Sequence, residues 1–123
     1  MPREFKRTDR VGHAIAKELS NLISREVRDP RISPVSISLV KVSRDFAHAK
    51  IFFTVLMPEQ ITDATLALDQ ASGFLRTKLA SKLSLRTMPK LHFIYDDTLD
   101  RARHMDKLID GLFTNDSSED SSN

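Results

Sequence analysis

The chain contains no cysteine. That excludes disulfides, thiolate nucleophiles and cysteine-ligated zinc, and it suits a reducing cytosol. It has only three glycines, Gly12, Gly73 and Gly111, each far from the others. No glycine-rich phosphate loop can be assembled from them. No apolar run approaches the length of a membrane span, so no membrane partner is expected. The first residues, Met1-Pro2-Arg3-Glu4-Phe5-Lys6-Arg7, are charged and lack a following apolar stretch, which does not read as a signal peptide. No His-Glu-x-x-His motif occurs. The four histidines, His13, His48, His92 and His104, fall in different predicted elements, with none three to five residues from another. The local spacing of a metal site is therefore missing, and no metal or cofactor is expected.

What is present fits one domain. The length of 123 residues leaves little room for two domains, and 40% hydrophobic content supplies a core. The net charge of +2 hides a polarised chain. Residues 114–123 hold three acids and no base, which leaves 19 bases against 14 acids in residues 1–113. We expect a folded domain over 1–113 and a disordered acidic tail over 114–123. From Gln70 to Tyr95 there are five bases, Arg76, Lys78, Lys82, Arg86 and Lys90, and no acid. A field of this kind attracts polyanions, although clustered charge also serves simply as a solvated surface.

Periodicity predicts the elements. A first helix runs from Thr8 or Asp9 to Arg28, stopped by Asp29-Pro30. Val11, Ile15, Leu19, Leu22, Ile23 and Val27 fill one arc. Arg10, His13, Lys17, Asn21, Ser24, Arg25 and Arg28 fill the opposite one. Two strands follow, over 35–43 and 48–57, joined by a short hairpin at Arg44-Asp45-Phe46-Ala47. In the first, Val35, Ile37 and Leu39 alternate, and Val40 and Val42 continue in the other phase. That slip predicts a bulge near Leu39-Val40. A second helix begins near Thr62-Asp63 with Ala64, Leu68, Ala71, Leu75, Leu79 and Leu83 on one side. Gly73, within Ala71-Ser72-Gly73, predicts a kink that divides it into two halves. A third strand covers 91–95. A third helix starts at Asp96-Asp97-Thr98, with Leu99, Ala102, Met105, Leu108, Ile109 and Leu112 as its stripe. The order α-β-β-α(kink)α-β-α predicts an α+β fold, a mixed three-stranded sheet with the helices packed on one face. The other face is partly apolar through Phe52 and Leu56. The terminal helix, a partner or RNA bases are its alternative covers.

The search for catalytic groups returns little. Asp96-Asp97, with Asp100 after it, reads either as a carboxylate metal site or as capping of the third helix, where acids favour the positive end of the dipole. No nucleophile and base stand in a recognisable motif. The binding features are richer. A basic helix face and a basic segment after the kink form a phosphate-binding surface. A helix pair after a strand is also how K-homology domains clamp a nucleic-acid backbone, through a Gly-x-x-Gly loop. Here Ala71-Ser72-Gly73 stands in that place.

Several segments in order resemble the ribosome-binding factor A family. They are Glu4-Phe5 with Arg10-Val11, Arg25-Glu26-Val27-Arg28-Asp29-Pro30-Arg31, and Val42-Ser43-Arg44-Asp45-Phe46-Ala47-His48-Ala49-Lys50. They continue with Gln70-Ala71-Ser72-Gly73-Phe74-Leu75-Arg76, Leu85-Arg86-Thr87-Met88-Pro89 and Leu91-His92-Phe93-Ile94-Tyr95-Asp96. The resemblance covers about Phe5 to Leu112. It implies a single type II K-homology-like domain whose long helix is interrupted at Ala-x-Gly. It also implies a non-catalytic cytoplasmic factor that binds free 30S subunits and the 16S rRNA precursor. Such a factor aids late maturation and 5′-end processing, with a role in cold growth. A monomer, with other assembly factors as further partners, is expected.

Among the matching positions, Arg10, Arg28, Arg31, Arg44, Lys50, Arg76 and Arg86 are candidate RNA contacts. Lys17, Lys78, Lys82 and Lys90 join them on charge alone. For each, a local salt bridge or a solvated charge is the alternative. A general RNA-binding module, a metal-dependent nuclease using Asp96 or Asp97, and a protein-binding adaptor using the open sheet face remain competing readings.

Overall fold

A computed structural model describes residues 3–114, with side chains over 7–106 and at Leu108. The elements are α1 (Arg3–Arg25), β1 (Ser36–Val42), β2 (His48–Thr54), a 3-10 turn (Pro58–Gln60), α2 (Ile61–Leu83), β3 (Lys90–Tyr95) and α3 (Thr98–Thr114). β2 is the central strand. It pairs antiparallel with β1 and parallel with β3, which gives the expected mixed sheet.

Alternation along the strands sets the two faces. Ala49, Ile51 and Phe53 of β2 and Leu91 and Phe93 of β3 point inward and are buried. On them lie Ile15, Leu19, Leu22 and Ile23 of α1 and Ala64, Ala67, Leu68, Leu75 and Leu79 of α2. Each large side chain so buried contributes roughly 1.5–3 kcal/mol of transfer free energy. α1 and α2 thus share one face of the sheet.

The phase slip in β1 is a real bulge. The register shifts between Ile37 and Leu39, so Ser38 is the extra residue, slightly earlier than expected. The shift lets Val35 before it and Val40 after it both reach the core. The Ser38 hydroxyl donates to Asp96 Oδ2 at 2.7 Å, with the Phe52 carbonyl 3.2 Å from the same oxygen, so the bulge is tied to the end of β3.

Several boundaries differ from expectation, each for a local reason. α1 begins at Arg3, so Thr8 and Asp9 are interior residues and not caps. It ends at Arg25, three residues early. Asp29 folds the next segment into its own turn, accepting the Arg31 backbone N–H through Oδ1, and its carbonyl takes the Ile32 and Ser33 N–H groups. That turn buries Ile32.

β2 stops at Thr54, because both neighbours end there: Ser36 opens β1 opposite Thr54, and Tyr95 closes β3 opposite Phe53. Beyond it Leu56 is exposed, and the Met57 N–H is taken by the Gln60 side chain at the 3-10 turn.

α2 is a single continuous helix and not two halves. Ala71, Ser72 and Gly73 lie inside it, and the Ser72 hydroxyl donates back to the Asp69 carbonyl. One glycine costs about 1 kcal/mol, too little to break a helix whose core residues pack on both sides of it. α2 ends at Ser84, which takes a left-handed φ of 53°.

α3 forms where expected, but Leu99, Met105 and Leu108 are half or more exposed. Its stripe therefore does not join the core. The side chains of Ile109 and Leu112 lie outside the described residues. So does the acidic tail, except Thr114, which closes α3. No helix among the described residues is long and apolar enough to cross a membrane.

Candidate nucleic-acid interface

The hairpin between β1 and β2 is fixed by one carboxylate. Asp45 Oδ1 accepts the Ser43 hydroxyl at 2.7 Å and the Ala47 N–H at 3.0 Å. The Ser43 hydroxyl in turn accepts the His48 N–H. The Ser43 hydrogen bond, then the Ala47 N–H, holds the Asp45 carboxyl below its usual range. Between these anchors Phe46 takes a left-handed φ of 59°. A bulky aromatic residue reaches that region only when its surroundings hold it there. Its ring stands under the Arg7 guanidinium, 5.8 Å from the centroid, a cation–π contact.

The hairpin forms the middle of a groove. On one side a pocket is lined by Arg7, Arg10, Val11, Asp45, Phe46, Ala47, Leu85, Arg86 and Thr87. On the other side a second is lined by Ala47, Ser72, Gly73, Arg76, Thr87, Met88, Lys90 and Leu91. Ala47 and Thr87 belong to both, so the two adjoin. Four separate stretches meet here: the first part of α1, the hairpin, the middle of α2, and the segment from α2 to β3.

Arg76 holds that last stretch in place. Its Nη2 donates to the Met88 carbonyl at 2.7 Å and its Nε to the Pro89 carbonyl at 3.1 Å. Both carbonyls precede β3 and have no strand partner, so Arg76 positions this wall while keeping its charge at the groove.

Gly73 has a different use. Nothing lies within 4 Å of where a Cβ would stand, and its backbone is helical. Neither internal packing nor a special φ requires glycine there. It leaves bare backbone on the groove wall, where a ligand can approach closely.

Of the expected RNA contacts, Arg10, Arg76, Arg86 and Lys90 line this groove, together with Ser72 and Gly73. Ala71 instead packs half-buried against the core. Arg44 is exposed in the hairpin beside the groove. The others lie elsewhere. Arg31 is engaged by Asp29 through two guanidinium hydrogen bonds of 3.0 and 2.7 Å, and it also reaches Gln70. Lys78 pairs with Glu26 at 3.4 Å and stands over the Phe74 ring. Lys17, Arg28 and Lys82 are exposed on or after the helices, and Lys50 is on the opposite sheet face.

Among the described residues, Arg7, Arg10, Arg86 and Lys90 have no carboxylate ion-pair partner. The groove therefore presents uncommitted positive charge over the apolar floor of Val11, Ala47 and Leu85. The sequence reading missed Arg7 and Phe46 as groove residues. Phe46 carried a signal, being the one aromatic in a four-residue hairpin, but Arg7 lay before the expected start of α1.

The acidic pair takes its structural role. Asp96 Oδ1 accepts the Thr98 N–H at the start of α3, and Oδ2 accepts the Ser38 hydroxyl. Both carboxylate oxygens are thus committed to the fold. No group of three histidine, aspartate or glutamate residues that could hold a metal occurs among the described residues.

The family model for ribosome-binding factor A matches residues 7–109. The ribosome-binding factor A of Thioalkalivibrio sulfidiphilus is 52% identical over 111 residues, covering 89% of this chain and 86% of that protein. The crystal structure of ribosome-binding factor A from Thermus thermophilus superposes with a TM-score of 0.65 at 23% identity, over 72% of this chain and 94% of that one. A homology model of the Thermus thermophilus factor, fitted into a cryo-electron-microscopy map of a 30S–RbfA complex, gives 0.63 at 22% identity, over the same shares. At these identities the two structural likenesses speak for the fold.

Proposed function

The chain belongs to the ribosome-binding factor A family, and from that premise we propose that it is a non-catalytic assembly factor whose groove grips RNA of the immature small ribosomal subunit. The observation that carries this reading is the convergence of four distant stretches on one groove. There Arg7, Arg10, Arg86 and Lys90 stand without carboxylate partners beside Phe46 and the bare backbone of Gly73. The Thermus thermophilus relative seen in a 30S–RbfA complex supports the small subunit as the particle bound. We read the partner as the free 30S subunit carrying the 16S rRNA precursor, in the cytoplasm where ribosomes assemble.

Guanidinium and ammonium groups neutralise phosphates, while Phe46 and the apolar floor accept the planar faces of bases. Phosphate contacts of this kind fix position and orientation without reading sequence. A factor that binds one arrangement of precursor RNA more tightly than others shifts the population toward it. Release follows when the mature shape lowers that affinity. Late maturation and 5′-end processing are aided by holding the RNA in a processable shape, with cleavage left to other proteins. Cold raises the need, because misfolded RNA helices then melt slowly.

Gradient sedimentation tests the reading. The full chain should sediment with free small subunits and be absent from whole ribosomes. Arg10→Gln with Arg86→Gln should remain at the top of the gradient with an unchanged unfolding midpoint. Co-sedimentation of that variant at the wild-type level would refute the groove as the site.

A further inference from the structure

The sheet face turned away from α1 and α2 carries a second cationic array. Alternation sends Lys41 of β1, His48 and Lys50 of β2, and Lys90 and His92 of β3 outward, and all five are exposed. The register sets Lys41 beside Lys50, Lys50 beside His92, and His48 beside Lys90. Nδ1 of His48 and Nε2 of His92 are 2.9 Å apart, with ring centroids 5.0 Å apart. The next row, about 6.7 Å further along the strands, is Leu39, Phe52 and Ile94, in register with one another. No acid occurs in any of the three strands. Asp45, in the adjoining hairpin, faces His48.

Two features direct this face toward nucleic acid. The first is charge, with three ammonium groups and two imidazoles around one aromatic ring. The second is continuity. Lys90 lines the groove and also opens the outer face, beside His48. We propose that this face is a second contact for single-stranded RNA, continuous with the groove through Lys90. Lys90, the His48–His92 pair, Lys50 and Lys41 take successive phosphates, and Phe52 takes a base. The proposal rests on the chain being an RNA binder but not on the groove being its site.

The test is titration of the full chain with an unstructured single-stranded RNA of about 12 nucleotides. Fluorescence anisotropy reads affinity, and amide chemical shifts read location. Lys41→Gln with Lys50→Gln should weaken binding about tenfold and reduce the salt slope of log K by about 1.4. Phe52→Leu should weaken it at least about fivefold. On the wild type, amides of Lys50, Phe52 and His92 should shift on RNA addition. This readout decides the matter if a variant is poorly folded.

Wild-type affinity and slope in the double lysine variant would overturn the proposal. Loss in Arg10→Gln with Arg86→Gln alone would do the same while leaving the groove reading intact. Loss in the lysine variant alone would support the sheet face and refute the groove. Full RNA affinity in the lysine variant, with lost binding to small subunits, would assign the face to a protein and overturn it as well. Failure of the wild type to bind RNA would remove both readings.

Discussion

Gly12 and Gly73 sit in helices for opposite reasons. A Cβ on Gly12 would stand 2.7 Å from the Val40 carbonyl oxygen, so α1 crosses β1 at backbone contact. The obstacle is strand backbone and cannot swing aside. Gly12→Ala should therefore push α1 off the sheet and destabilise by about 1–3 kcal/mol, read as a lower urea midpoint. Gly73 meets open space. Gly73→Ala should improve helix propensity and narrow the unfolded ensemble, stabilising by about 0.5–1 kcal/mol. If the bare backbone at Gly73 serves ligand approach, the same methyl should weaken RNA binding. Urea unfolding and anisotropy on this variant should then move in opposite directions, whereas a merely structural glycine would leave affinity unchanged.

At the scale of elements, the short-range patterns were readable and the long-range pairings were not. The change of phase between Ile37 and Val40 announced a bulge, because only an extra residue lets both halves of β1 face the core. Its use, a hydroxyl tied to Asp96 58 positions away, depends on the order of the strands. His48 and His92 looked scattered for the same reason, since only the parallel register of β2 on β3 brings them together. The ends of α1 and β2 lie outside their own periodic patterns: Asp29 folds the segment after α1 into a separate turn, and β2 stops where its two neighbouring strands end.

The tie at Asp96 gives a pH prediction. Hydrogen bonds from the Thr98 hydroxyl, the Ser38 hydroxyl and the Thr98 N–H hold its carboxyl below the ordinary value of 3.8. Asp29, through the Arg31 side chain first, and Asp45, through the Ser43 hydroxyl first, are lowered as well. With depressed folded-state values, the unfolded chain takes up these protons first. The stabilisation is then complete above about pH 5 and is lost as pH falls through the ordinary and then the folded values. Urea midpoints measured from about pH 5 to about pH 2.5 should fall. Asp96→Asn should start lower at pH 5 and fall less steeply. An equal slope in the variant would remove Asp96 from the account.

Across the whole molecule, positive charge is sorted by whether it has a carboxylate partner. Arg31 and Lys78 spend theirs on Asp29 and Glu26, and Arg101 and Arg103 pair within or beside α3 with Asp97 and Asp100. A paired cation already has its counter-charge and releases little condensed salt when RNA arrives. Arg7, Arg10, Arg86 and Lys90, unpaired among the described residues, can each displace a counterion. Each phosphate neutralised contributes about −0.7 to the slope of log K against log salt for single strands and about −0.9 for duplex. Four or five such contacts predict a slope of about −3 to −4.5 for groove binding. Removing two, in Arg10→Gln with Arg86→Gln, should reduce its magnitude by about 1.4–1.8. Removing the two paired cations, in Arg31→Gln with Lys78→Gln, changes the net charge by the same amount. It should leave the slope within experimental scatter. Equal slopes in the two double variants would mean that RNA responds to net charge alone and that the partnering of each cation is irrelevant. Unequal slopes, with the larger loss in the groove variant, would locate the counterion release at the groove.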